Sequence, residues 1–141
     1  ISKKYKLLFS TIILLIRGDY LSLWHGDLIS KLPRQQLLGQ HRECAALRGN
    51  GWGKPHSTVN YVFNYDPYLL FKYHTLVMDE MIRRGYNVSK EWYDKNYRGK
   101  NSDPYKNLEV IETSHPIYPE HDKQYYKECI LNLKEKKIEI E

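Results

Sequence analysis

The chain has 141 residues, 41% hydrophobic and 28% charged, a balance that fits one globular domain, is short for two, and excludes wholesale disorder. Its net charge of +5 is uneven: residues 1–21 hold four cations and one anion, which leaves only +2 for the remainder. Cys44 and Cys129 lie far apart without CxxC spacing, which argues against a disulfide framework or zinc ribbon and suits a reducing, cytoplasmic compartment.

The chain opens on a basic and greasy leader, "ISKKYKLLFSTIILLI", followed by "RGDY". Three lysines before an apolar run resemble the front of a secretory signal, but no small-x-small cleavage site follows. The apolar run Leu7–Ile16 also falls well short of the roughly 20 residues that cross a bilayer, so no stable membrane association is expected. A third reading makes residues 1–20 translated upstream sequence, with Leu21 at a start codon and one domain over 21–141.

Pro33 suits a first helical turn and Gly49 a stop, which predicts a helix over 33–48. Leu37, Leu38, His41, Cys44, Ala45 and Arg48 share one side of it, while Gln36, Gly39, Gln40, Glu43 and Ala46 form a small, polar notch on another. Residues 31–54 hold five cations, Lys31, Arg34, Arg42, Arg48 and Lys54, against Glu43 alone. Such a local basic patch on a near-neutral domain points to nucleic acid, or else to a solvated helix face. The loop "GNGWGKPH" centres Trp52 but lacks the GxxxxGK[ST] pattern of a phosphate loop. Asp66-Pro67 starts a second helix that ends near Arg84-Gly85, burying Leu70, Tyr73, Val77 and Met81. Residues 86–107 interleave rings with Lys and Arg in an irregular connection. A last helix is expected over 119–137 with Tyr125, Tyr126, Cys129, Ile130 and Leu133 inward. The fold class is therefore all-α, one domain of about three helices with long loops.

Six histidines form no HExxH, and His41 with Cys44 is only a fragment of a metal site, so no metal or cofactor is expected. Glu43 stands out as the sole acid of the patch. Neighbouring cations would keep it ionised and burial would oppose this, with a salt bridge to Arg42, Arg48 or Lys54 as the plain alternative.

"SLWHGDLISKLPRQQLLGQHRE", followed by a glycine-rich loop, "DEMIRRGYN" and "NYRGK", resembles the pyrimidine-dimer DNA glycosylases of the phage endonuclease V type. The likeness is greater to bacterial relatives that carry the LPRQQLLGQHRE signature, and it covers about 22–137. The resemblance implies a mostly helical monomer that acts on damaged double-stranded DNA, cutting the glycosidic bond and then nicking the abasic strand by β-elimination. It implies catalysis by Glu43, in "HRE" where the family has "YRE", and by the α-amine of a residue twenty-one positions earlier, Ser22. Leu23 stands where the phage enzyme has an arginine after its nucleophile, Ala46 aligns with another DNA-binding arginine, and the phage enzyme's aromatic-basic tail has no counterpart. Arg34, Arg42, Arg48 and Lys54 are expected on phosphates, and Trp52 either as a wedge or stacking ring or as a loop anchor. Two other readings compete. One is a non-catalytic nucleic-acid-binding module that uses Trp52, Trp92, Tyr93 and Tyr97; the other is a secreted or tethered protein that uses the leader.

Overall fold

Asp66 and Pro67 start a helix for two separate reasons. The Asp66 carboxylate accepts the Tyr68 N–H at 2.9 Å, and Pro67 presets a helical φ where no N–H is needed. The helix runs Pro67–Arg83, and Gly85 then turns left-handed at φ 87°, which returns Tyr86 N–H to Met81 O at 2.8 Å. The computed structural model describes residues 23–54 and 60–140, so the leader and Ser22 lie outside the described residues. Among the described residues there are three α-helices, α1 (Arg34–Arg48), α2 (Pro67–Arg83) and α3 (Lys123–Glu135). Short 3-10 helices at Gly26–Lys31, Asn60–Asn64 and Lys90–Tyr93 complete an all-α fold with no strand among the described residues.

α1 begins one residue after Pro33, whose carbonyl accepts the Leu37 N–H at 3.0 Å. It stops at Gly49 because a Cβ there would sit 2.7 Å from Arg98 O, a backbone atom that cannot give way. α3 starts later than Pro119. Asp122 supplies the cap, its carboxylate accepting Tyr125 N–H at 2.8 Å, while His121 N–H is held by Tyr118 O in the turn before it. The helix ends at Glu135 rather than 137 because Lys137 takes φ 63° and Ile138 N–H returns to Leu133 O.

α1 and α2 pack directly on each other, and the 3-10 helix Gly26–Lys31 packs on α2. Leu70, Tyr73, Val77 and Met81 are all buried, against Leu37, Cys44 and Leu47 of α1 and Cys129 and Leu133 of α3. Each fully buried leucine contributes about 1.5–3 kcal/mol. Tyr125, Tyr126 and Ile130 are half-buried at the edge of this core. Both cysteines are free and buried; burial pushes the Cys129 thiol up to about 12 and Cys44 higher still, so neither is an activated nucleophile. No helix among the described residues is long and apolar enough to cross a membrane.

The notch of α1 is the main surprise. Gln40 and Glu43 are buried with the apolar residues, and Gln40 faces the segment that precedes the first 3-10 helix, where it accepts Trp24 N–H.

Candidate active site

Leu23 and Trp24 are buried in the core, and a buried backbone needs partners for its N–H and C=O groups. All three helices supply them. The Tyr125 hydroxyl of α3 donates to Leu23 O at 2.6 Å, and Trp24 N–H donates to Gln40 Oε1 of α1 at 2.6 Å. The Tyr73 hydroxyl of α2 lies 2.5 Å from Trp24 O and 2.9 Å from Gln40 Oε1. These three side chains clamp two residues of main chain. Beneath them His25 stacks on His121, and His121 on Tyr125, with ring centroids 5.4 and 5.3 Å apart. His121 accepts the Gly26 N–H through Nδ1 and meets the Tyr61 hydroxyl at 2.8 Å through Nε2. Burial, with His25 beside it, pushes His121 down to about 3, so it serves as a neutral spacer.

Glu43 follows Gln40 by three residues, one helical turn along the same side of α1. It is 8% exposed, and its carboxyl makes neither a hydrogen bond nor an ion pair among the described residues. The salt bridges to Arg42, Arg48 or Lys54 are therefore not formed. Burial wins over the neighbouring cations and raises the Glu43 carboxyl to about 7. Gly39 and Ala46, one turn either side, add almost no side chain around it, and the Arg42 guanidinium lies 3.7 Å from where a Gly39 Cβ would be. An unpaired carboxyl poised near neutrality can both take and return a proton.

The basic residues divide into two kinds. Arg34 and Arg42 are exposed on α1, flanking Gln35 and Leu38 along an open groove of about 410 Å³, and Arg34 lies over the Tyr86 ring at 5.4 Å. Lys54 is exposed at the end of the glycine-rich loop. Arg48 is different.

The model for pyrimidine dimer DNA glycosylase matches residues 21–94, just over half of the chain. The chain belongs to that family. No curated protein and no solved structure gives a match. Membership brings DNA repair by glycosylase action, with damaged DNA as the substrate class. The matched residues of this pyrimidine dimer DNA glycosylase include Gln40, Glu43, Tyr73 and both exposed arginines, whereas Tyr125 of the clamp lies beyond them.

In this glycosylase the expectation that Arg48 meets DNA phosphate is corrected. The residue is 5% exposed, and its guanidinium donates to Trp92 O, Asp94 O and Tyr97 O at 2.8–3.1 Å and to His74 Nδ1 at 2.9 Å. It ties the 92–97 connection to the end of α1 and lies over the Trp92 ring at 5.1 Å. Arg48→Ala is expected to cost about 2–4 kcal/mol, because three partly buried hydrogen bonds to main-chain carbonyls are lost, and urea unfolding would measure the loss. Trp52 is half-buried against the core, edge-on to Phe63 at 5.0 Å. Trp92 and Tyr97 pack edge to face at 4.8 Å, and the Tyr93 hydroxyl donates to Asp79 at 2.8 Å, so these rings are engaged within the protein. Gln40, Tyr73 and Tyr125 were not singled out by sequence reasoning as site residues. The one signal for Gln40 was its place in the polar notch beside Glu43.

Proposed function

We propose that this protein is a DNA glycosylase with abasic-site β-lyase activity, acting on pyrimidine dimers or related damaged bases through an imine at the α-amine of Ser22. The observation that carries the reading is the unpaired, buried Glu43 carboxyl one turn from the clamp on Leu23 and Trp24. Leu23 directly follows Ser22, so covalent connection alone limits the reach of an amine there, with consecutive Cα atoms about 3.8 Å apart.

An α-amine has a reference pKa of about 7.7–8, so roughly a quarter to a third is uncharged near pH 7.5, against on the order of 0.1% for a lysine. Its lone pair attacks C1′ of the damaged nucleotide. The glycosidic C–N bond breaks with its electron pair going to the base, which receives the proton that the new C1′ ammonium gives up. Glu43, ionised, stabilises the positive charge that develops on the sugar. The C1′–O4′ bond then breaks as the nitrogen lone pair forms the protonated imine and O4′ takes a proton from water; the Glu43 carboxylate takes a proton from C2′, and the C3′–O bond breaks to expel the 3′ phosphate. Water releases the enzyme by hydrolysing the imine. These steps use the chain's own groups, by a monomer, and incision is expected to survive a metal chelator.

The decisive assay compares duplexes with and without a single pyrimidine dimer. Incision of the damaged duplex only, with a β-elimination product end, is expected; binding without incision would favour the non-catalytic module. Phosphate contacts from Arg34, Arg42 and Lys54 make affinity fall by about 0.9 log units per log unit of salt for each phosphate neutralised. Arg42→Ala is expected to lower that slope by about 0.9, and Arg48→Lys to leave it unchanged.

A further inference from the structure

His41 is half-buried on α1, next to Arg42 and one turn after Leu38, two of the residues that line the groove with Arg34 and Gln35. Its Nδ1 lies 2.8 Å from Nε2 of His74, a fully buried residue of α2, and His74 Nδ1 lies 2.9 Å from Nη1 of Arg48. The direction of this chain follows from one fact: a guanidinium has donors and no acceptor. His74 Nδ1 must therefore accept, which puts the His74 proton on Nε2, where it is donated to His41 Nδ1. His41 Nδ1 in turn carries no proton, and the ring's own proton is left on Nε2, a nitrogen with no partner among the described residues. Three residues thus hold one tautomer across the helix pair.

We propose that Arg48 and His74 fix His41 as a neutral Nε2–H donor to a DNA phosphate between Arg34 and Arg42, a contact that rests on the DNA-repair reading above. Burial and the charges of Arg42 and Arg48 lower the His41 pKa, and burial with Arg48 lowers that of His74, which keeps both rings neutral. His41 is a binding residue in this scheme, and His74 and Arg48 are positioning residues. A neutral donor makes a distinctive contribution. It strengthens binding without displacing a counterion, whereas an arginine does both.

Two measurements test the proposal. In the free protein, ¹⁵N shifts of the His41 ring are expected to show the Nε2–H tautomer at pH 7, and His74→Leu is expected to move them toward an average of both tautomers. Nδ1–H or a charged ring in the wild type would overturn the relay, whatever the DNA result. In binding, His41→Phe is expected to weaken affinity for dimer-containing or abasic duplex about three- to ten-fold with an unchanged salt slope. His41→Gln, whose amide N–H stands in for Nε2–H, is expected to restore most of it. Equal binding by both variants, or a slope lowered by about 0.9, would refute the neutral-donor contact. A wild-type protein that bound no damaged duplex would defeat the functional reading and the DNA contact together, while the nitrogen shifts would still report the relay on its own.

Discussion

Glu43→Gln is expected to slow base excision and strand nicking by about 10²–10⁴-fold while leaving affinity for damaged duplex within about two-fold. The change removes the group that takes the C2′ proton and the charge that faces the developing cation, yet alters the volume hardly at all. Because burial raises the Glu43 carboxyl to about 7, the ionised form grows as pH rises through 7, and lyase activity is expected to rise with it. Stability moves the opposite way. A carboxyl at about 7 in the folded chain and about 4.5 unfolded binds its proton more tightly when folded, so ionisation opposes folding. Stability is thus lost progressively as pH climbs from about 4.5 to 7, and the loss is complete above that window. Glutamine does not ionise. The variant is therefore expected to be more stable than the native protein at pH 8 by about 1–2 kcal/mol, discounted for solvent near a carboxyl that is not fully enclosed, with no gain at pH 4. Urea midpoints at the two pH values would show it. A variant with full activity, or with no pH-dependent gain in stability, would remove Glu43 from the proposed chemistry.

A protein that begins at Ser22, with any initiator methionine removed, is expected to be trapped on abasic DNA by borohydride, whereas the full 141-residue chain is not trapped at Ser22. In the longer chain that nitrogen is an amide whose lone pair is delocalised into the carbonyl. The next available amines are lysines, with on the order of a hundredth of the free base of an α-amine near pH 7.5, so trapping is expected to fall by about that factor. Mass spectrometry of the reduced complex locates the attached residue. Equal trapping of both forms, with the adduct on Lys31 or Lys54, would refute the N-terminal amine mechanism.

Helix starts were legible because each depends on chemistry within a few residues, as Asp66 with Pro67 illustrates. The start of α3 was missed by the same rule, since Pro119 and Asp122 both qualify and the buried His121 turn lies between them. Glu43 was legible as the odd acid in a basic stretch, but its burial was not. Apolar periodicity reads the side of a helix that meets other side chains. Gln40 instead meets the backbone of Trp24, sixteen residues earlier, and the hydroxyl of Tyr73, thirty-three later. Arg48 misled for a related reason: its acceptors are main-chain carbonyls of residues 92–97, and a carbonyl leaves no mark in a residue pattern.

The clamp also ties the approach to Glu43 to a contact of long sequence separation. Leu23 O is held by a tyrosine 102 residues further on, in α3. Contacts of such separation form late, because the long intervening loop must close first. Until α3 docks, nothing from it pins the approach to Glu43, and a nascent or clipped protein carries the right residues in the wrong order of space. Docking of α3 is thus the step that completes the clamp.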